Sequence, residues 1–509
     1  MRLTRIASLA CCTALALMLA GATQASLEVG VTEDAGKAAD GGATFFTTLT
    51  DIGLTANRVS IPWDAANPTV IQSQGEIEAW LPQALAAHTR VIFAVSPTTA
   101  KGMTGSPSAL PNFVAFVRQL AQTFPMVKDY VIGNEPNQPR FWLPQFNPGS
   151  GKALAAAAYL PFLARSYDAL KAVDPSITVI GIGLSPRGND QPGAISNASR
   201  SPVRFLRELG AAYRASKRTK PLMDELAFHP YPSSSRDPIT TGYVWPNAGM
   251  PNLNRIKQAV WDAFHGTAQT PFAERHKTFA KPLLLDLDEV GWQVGILPAL
   301  TSFYTNAENA PTTSEATQAQ VYADLIKQAA CDPTVRLLNF FHLGDEVDLK
   351  TWQSGLVRAD GTHRPSYDSV KNMIALTHGN CQTAPKVWSH ATQVVLPFAK
   401  WGSLTKPQKS SRSRWSFPAG AGEEATFRAG IFKAGPGKAI LGRRLAAGRP
   451  KPVMKASGTI KAKGRVVYFP IRKLKPGKYV YAIRMVSTMN PQRITVFVSR
   501  TFRVSAARR

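Results

Sequence analysis

Apolar and polar residues change their period once along this chain. Up to about residue 380, short apolar runs alternate with longer stretches in which apolar positions recur every three or four residues. Beyond about residue 410 the alternation is every second residue. The first pattern predicts strands followed by amphipathic helices, the second antiparallel strands with one buried face. Eight strands are expected, at Leu27 to Val31, Ala56 to Ile61, Arg90 to Val95, Tyr130 to Gly133, Thr178 to Ile182, Glu225 to His229, Leu283 to Leu287 and Val335 to Phe341. Helices are expected at Ala79 to His88, Asn112 to Phe124, Leu160 to Val173, Ser201 to Ser216, Ala316 to Ala330 and Ser369 to Asn380. Eight strand–helix repeats are what an α/β fold of the (β/α)₈ barrel type requires.

The later alternation is clearest in RITVFVSRTFRV, where Ile494, Val496, Val498, Phe502 and Val504 share one face. Turn signals separate the runs, at AGPGK (Ala434 to Lys438) and LKPGKY (Leu474 to Tyr479). About seven such strands predict a smaller all-β sandwich.

A chain of 509 residues is longer than one hydrophobic core usually organises, which agrees with two domains. Arg2 and Arg5 precede an apolar run from Ile6 to Ala20, followed by the small residues Ala22 and Ala25. That order is the order of a secretory signal peptide, and the run is short for a bilayer span of about 20 residues. Residues 1–25 are therefore read as a leader and the mature protein as secreted, extracellular or wall-associated. Cys11 and Cys12 fall in the leader, so Cys331 and Cys381 remain. If the strand after Cys331 and the helix before Cys381 are the barrel's last pair, both lie on its bottom face. A disulfide is expected there in an oxidising compartment, with two free thiols as the alternative.

Charge divides the chain sharply. Residues 386–509 hold 27 Lys and Arg against two acids, Glu423 and Glu424, so they carry almost all of the net charge of +26. The boundaries follow: leader 1–25, barrel 26–384, linker 385–400 and basic sandwich 401–509. Such a module should adhere to polyanions, and outside a cell those include anionic envelope polymers. Nucleic acid is not expected, because the module lacks clustered exposed aromatics and the chain begins with an export signal. No metal cluster is expected, since the eight histidines are scattered.

Barrel enzymes place their chemistry where strands end. Here those ends carry Arg58 and Trp63, Asn134 and Glu135, His229 and Tyr231, and Glu289. Glu135 stands in VIGNEPN and Glu289 in LLLDLDEVGW. Paired carboxylates at strand ends suit glycosidic hydrolysis, one protonating the leaving oxygen and the other attacking the sugar. With these contexts the region from Leu27 to Asn380 resembles the retaining glycoside hydrolases of the (β/α)₈-barrel clan, closest to families 5 and 39. The C-terminal part resembles the immunoglobulin-like modules of bacterial secreted enzymes.

The resemblance implies Glu135 as general acid/base, Glu289 as nucleophile, Asn134 as partner of the sugar 2-hydroxyl, and Arg58 and Tyr231 as the groups that keep Glu289 ionised. It also suggests a role for His229, although a core histidine satisfied by backbone is an equal alternative. The family tryptophan at the end of strand eight is absent. The sequence there is FFHLGDE, so Phe341 or His342 must replace it, or Trp352 must reach in. Phe141, Trp142, Phe146, Tyr243, Trp245 and Trp292 stand in the loops around the expected cleft, where rings stack on sugar C–H faces. The expected ligand is a β-linked oligo- or polysaccharide, with no cofactor and a monomeric chain. A glycan-binding barrel without activity and an envelope-adhesion protein are the alternatives.

Overall fold

The computed structural model describes residues 26–277, 279–392, 408–411, 414–434, 451–461, 465–470, 474–499 and 501–505. The leader, the turn from Gly435 to Lys438, residues 393–400 of the expected linker and residues 401–407 lie outside them. Eight parallel strands close a barrel: β1 (Glu28–Thr32), β2 (Ala56–Trp63), β3 (Arg90–Pro97), β4 (Asp129–Ile132), β5 (Thr178–Leu184), β6 (Glu225–Phe228), β7 (Leu284–Val290) and β8 (Val335–Phe341). The connecting helices are α1 (Ala43–Ile52), α2 (Gln74–Ala86), α3 (Ala109–Thr123), α4 (Ala155–Val173), α5 (Pro202–Ala215), α6 (Leu253–Phe264), α7 (Glu315–Ala330) and α8 (Pro365–Thr377). Helix starts follow local chemistry. α5 and α8 open with a proline, which needs no N–H partner there, and the Ser314 hydroxyl accepts from the Thr317 N–H ahead of α7.

Alternate strand residues fill the barrel in layers. Along β6, Glu225, Ala227 and His229 take successive inward positions. At the bottom, Arg90 reaches Glu28 at 3.1 Å, Asp129 at 2.8 Å and Glu225 at 3.0 Å, and Arg336 also pairs with Glu225. Burial, together with the Glu225 charge, pushes Asp286 well above the usual carboxylate range. Above it, Ala56, Ile92, Ala94, Val131, Ile180, Ala227 and Leu337 form a small apolar plug. The functional groups stand on that plug. Cys331 and Cys381 are joined by a disulfide that ties the end of α7 to the chain after α8.

The C-terminal unit contains a three-stranded sheet, β9 (Gln408–Ser411), β10 (Arg414–Ala419) and β13 (Arg465–Pro470). It faces a five-stranded sheet of β11 (Ala425–Lys433), β12 (Met454–Ile460), β14 (Gly477–Ser487), β15 (Ile494–Val498) and β16 (Phe502–Val504). Val467 and Phe469 of the first share one core with Phe427, Ile431, Tyr481 and Ile483 of the second, which makes the unit a sandwich. In the LKPGKY turn the Tyr479 hydroxyl donates back to the Lys475 carbonyl at 2.7 Å.

Residues 385–392, read from the sequence as the start of a linker, are fixed to the barrel. Trp388 is buried beside Trp261, His390 stacks on Trp261 with ring centroids 4.0 Å apart, and Lys386 donates to the Cys331 carbonyl. The basic unit spends both of its acids at the barrel. Glu424 pairs with Arg204 at 2.6 Å, and Glu423 pairs with Arg493, which reaches Asp262 of α6 at 2.7 Å.

Candidate active site

The loop after β4 begins with Gly133 at φ 89° and continues to Glu135 at φ 38°, a left-handed conformation uncommon for a residue with a side chain. Two contacts hold it there. The Glu135 N–H donates to the Gly183 carbonyl at 2.8 Å, and the fully buried Asn137 ties this loop to the next by donating to the Ser185 and Arg200 carbonyls. Functional sites are where such strain is retained.

At the end of β7, Leu287 pairs with Leu338 but Val290 pairs with Phe340, so β7 holds one residue more than β8 over that interval. The bulge turns two consecutive acids, Asp288 and Glu289, toward the same arginine. Arg58 Nε lies 3.0 Å from Asp288 Oδ2, its Nη1 lies 2.8 Å from Glu289 Oε1, and its Nη2 donates to Asn134 Oδ1 at 2.9 Å. One guanidinium thus orients three side chains.

Tyr231 donates its hydroxyl to Glu289 Oε2 at 3.1 Å, so both oxygens of that carboxylate are held. His229, fully buried, places Nδ1 3.0 Å from Glu135 Oε1 and 3.5 Å from Glu289 Oε2. These two oxygens are no farther apart than those distances laid end to end. The opposite ring nitrogen, Nε2, lies 3.2 Å from Asp288 Oδ1.

The electrostatics follow from burial and sign. Burial alone would push His229 down, but the Glu289 and Asp288 carboxylates outweigh it and raise it to about 10. Burial would likewise raise Asp288, yet His229 and Arg58 bring it below the ordinary carboxylate value. Tyr231 is pushed far up by burial and by the Glu289 and Glu135 charges, so it stays a hydrogen-bond donor.

An aromatic wall stands beside the carboxylates. Trp352 packs on Tyr231 with centroids 4.9 Å apart and on Phe341 at 5.7 Å, and Phe341 lies 6.0 Å from Tyr231. The place of the absent strand-eight tryptophan is therefore shared by Phe341 and the half-buried Trp352, which reaches in from the following loop. His342 turns the other way and donates from Nδ1 to the Thr32 carbonyl.

Three tryptophans expected at the cleft are elsewhere. Trp63 is fully buried against Phe113, Trp142 is buried between Tyr159 and Phe162, and Trp292 is buried with its indole N–H on the Asp237 carbonyl. Each anchors a loop instead of offering a face to a sugar. Phe146 is buried beneath Arg200, and Trp245 carries Arg204 over its ring. Asp288 is the functional group that strand-end reading misses. Its signal is the succession of Asp286, Asp288 and Glu289 in an otherwise apolar strand.

A cavity of about 350 Å³ lies between the two units, lined by Trp245, Trp388, Met489 and the Asp262–Arg493–Glu423 ion pairs. The convergent carboxylates are at the barrel top, and the chemistry is read there. Among the described residues no group of three or more His, Cys, Asp or Glu could hold a metal ion, and no helix is long and apolar enough to cross a membrane.

No protein-family model matches the sequence, and no curated protein does. Among solved structures the chain is similar to a family 39 glycoside hydrolase from the gut symbiont Bacteroides cellulosilyticus WH2, at 16% identity over 80% of this chain and 76% of that one, with a TM-score of 0.46. It is similar to the GH39 enzyme from Xanthomonas axonopodis pv. citri at 15% identity over 87% and 91% of the two chains, TM-score 0.44. It is also similar to a monomeric beta-xylosidase from Caulobacter crescentus CB15 at 14% identity over 87% and 93%, TM-score 0.44.

Proposed function

We propose that this chain is a secreted retaining β-glycosidase that cleaves a β-linked oligo- or polysaccharide by double displacement. The observation that carries the reading is the joint hold on two neighbouring carboxylates: Glu289 fixed at both oxygens by Arg58 and Tyr231, Glu135 facing the same imidazole. Binding alone needs neither a doubly held carboxylate nor a strained one.

Glu289 Oε2 attacks the anomeric carbon as the glycosidic bond breaks, and Glu135 gives the leaving oxygen its proton. A water then attacks the same carbon, loses its proton to Glu135 and frees Glu289. Asn134, oriented by Arg58, is placed to bind the 2-hydroxyl, and the Trp352–Tyr231–Phe341 wall offers apolar area to a sugar face. Export is supported by the leader-like N-terminus and by the Cys331–Cys381 disulfide. The basic sandwich serves retention on an anionic envelope polymer, a role supported by its charge and by the inward use of Glu423 and Glu424.

The test is a hydrolysis screen over purified polysaccharides and nitrophenyl glycosides with the anomeric form of the first product recorded. Retention of configuration at a β-linkage is expected. Inverted product, or no hydrolysis of any β-glycoside, would overturn the reading.

A further inference from the structure

Asp288 does not face the cleft. It is 1% exposed, and its two oxygens are taken by ion pairs with His229 Nε2 and Arg58 Nε. A buried carboxylate is costly unless its partners need it. The partner with an unusual requirement is His229. A neutral imidazole offers one N–H donor and one acceptor, yet this ring meets a carboxylate at each end: Asp288 at Nε2, Glu135 and Glu289 at Nδ1. Only the doubly protonated ring presents a proton to the carboxylates at both ends.

We infer that Asp288 is a positioning residue that keeps His229 as an imidazolium, so that the Nδ1 proton is shared with Glu135 and supplies the acid step of catalysis. The inference rests on the glycosidase reading. The groups facing the ring are Glu135 from the loop after β4, Asp288 and Glu289 from β7, and the Tyr231 ring at 6.5 Å; Arg58 of β2 stands behind the two β7 acids.

Proton and charge balance through the cycle. When Glu289 bonds to the anomeric carbon its negative charge disappears, and His229 loses one of the anions that hold its proton. The Nδ1 proton then moves to Glu135 Oε1 as Glu135 delivers its own to the departing oxygen. In the second step the ester bond to Glu289 breaks and its charge returns, so the proton on Glu135 Oε1 moves back to Nδ1 as Glu135 takes one from the attacking water. Asp288 keeps its charge throughout and holds Nε2–H in place.

The experiment is the pH dependence of kcat/KM on a nitrophenyl β-glycoside for the wild type and Asp288→Asn, with ¹⁵N NMR of the His229 ring in the wild type. The variant should move the alkaline limb at least one unit toward lower pH and leave the acid limb in place, while a merely structural role would lower the rate at every pH with both limbs unmoved. The wild-type ring should carry protons on both nitrogens at pH 8, a readout that stands even if the variant does not fold. A neutral ring at pH 8, or an active variant with an unmoved alkaline limb, overturns the inference alone. A wild-type protein that hydrolyses no β-glycoside overturns the glycosidase reading with it.

Discussion

Arg493 of the basic sandwich and Asp262 of the barrel helix α6 meet at 2.7 Å with both side chains 4% exposed. The same guanidinium also serves Glu423, so one cation neutralises two buried acids from different units. Replacing one partner of a buried pair leaves a desolvated charge, at a cost of about 3–5 kcal/mol. Arg493→Met should therefore lower stability by about that amount and expose the junction near Met489 to protease. Urea unfolding and limited proteolysis check it. An unchanged midpoint would mean that the units do not hold each other through this pair.

The carboxylate roles separate by mutation. Glu289→Gln should abolish turnover on every substrate, because no other group can form the glycosyl bond. Glu135→Ala should lose about 10²–10⁴-fold on poor leaving groups, the range of general acid catalysis, and much less on nitrophenyl glycosides. Added azide should restore part of the Glu135→Ala rate and yield a glycosyl azide, since a small anion needs no general base. Equal and unrescued losses in both variants would contradict the assignment.

His229 makes stability depend on pH in a stated direction. Its folded value of about 10 lies above the unfolded value of about 6.5, so the folded chain holds the proton more tightly. The stabilisation is fully present below about pH 6.5 and is lost as pH rises toward 10, with a slope of at most about 1.4 kcal/mol per pH unit. Unfolding free energy measured from pH 6 to 10 should fall in the wild type and lose this slope in His229→Gln. A wild-type curve flat over that window would sink the prediction.

Strand ends and the two glutamates, Glu135 and Glu289, are legible in the sequence because an acid closing an apolar run is expensive unless a partner or a reaction uses it. The fate of the tryptophans is not. Trp63 closes β2 while Trp142 and Trp292 occupy loop contexts like that of Trp352, and only the packing decides that three rings point down to Phe113, Tyr159 or Asp237 while the fourth meets Tyr231. Asp288 is hidden for a different reason. In a regular strand it would face away from Glu289, and the extra residue of β7 that brings both to Arg58 is a register relation with β8, not a property of either segment. α1 is illegible by propensity. Its ATFFTTLTDI carries four threonines and an isoleucine, which favour strands, and the helix is held by burial of Phe45, Phe46, Leu49 and Ile52 with Gly53 at φ 87° closing its end.

The disulfide closes a loop of 50 residues between Cys331 and Cys381. In the chain-entropy model a closed loop of that length contributes about 4 kcal/mol, by restricting the unfolded chain. Cys331→Ser with Cys381→Ser should lower the unfolding free energy by up to about that amount without changing kcat, since both residues sit at the bottom of the barrel, away from Glu135 and Glu289. Wild-type protein unfolded with reductant present should behave like the double variant. A variant as stable as the oxidised wild type would show that the bridge contributes nothing.

The basic sandwich should bind anionic polymers by charge alone. With 25 Lys and Arg in residues 401–509 against two acids, both of them engaged at the barrel junction, little negative charge remains to offset its cations. Attraction of this kind is screened over about 10 Å at 0.1 M salt and about 3 Å at 1 M, so retention on a teichoic acid or polyuronate matrix should be strong at low salt and fall steeply across that range. A neutral glucan matrix should retain the protein weakly at every salt concentration. Cleavage of a soluble oligosaccharide by the full chain should change little over the same range, because Glu289 is buried, Glu135 is half-buried and their pairs are screened far less than surface charges. Replacing several exposed lysines of the sandwich with glutamine, Lys455 and Lys478 among them, should shift the salt midpoint of retention downward and leave kcat unaltered. Retention that ignores salt, or that survives the loss of those charges, would make the positive surface a solubility device with another feature of the protein holding it to the polymer.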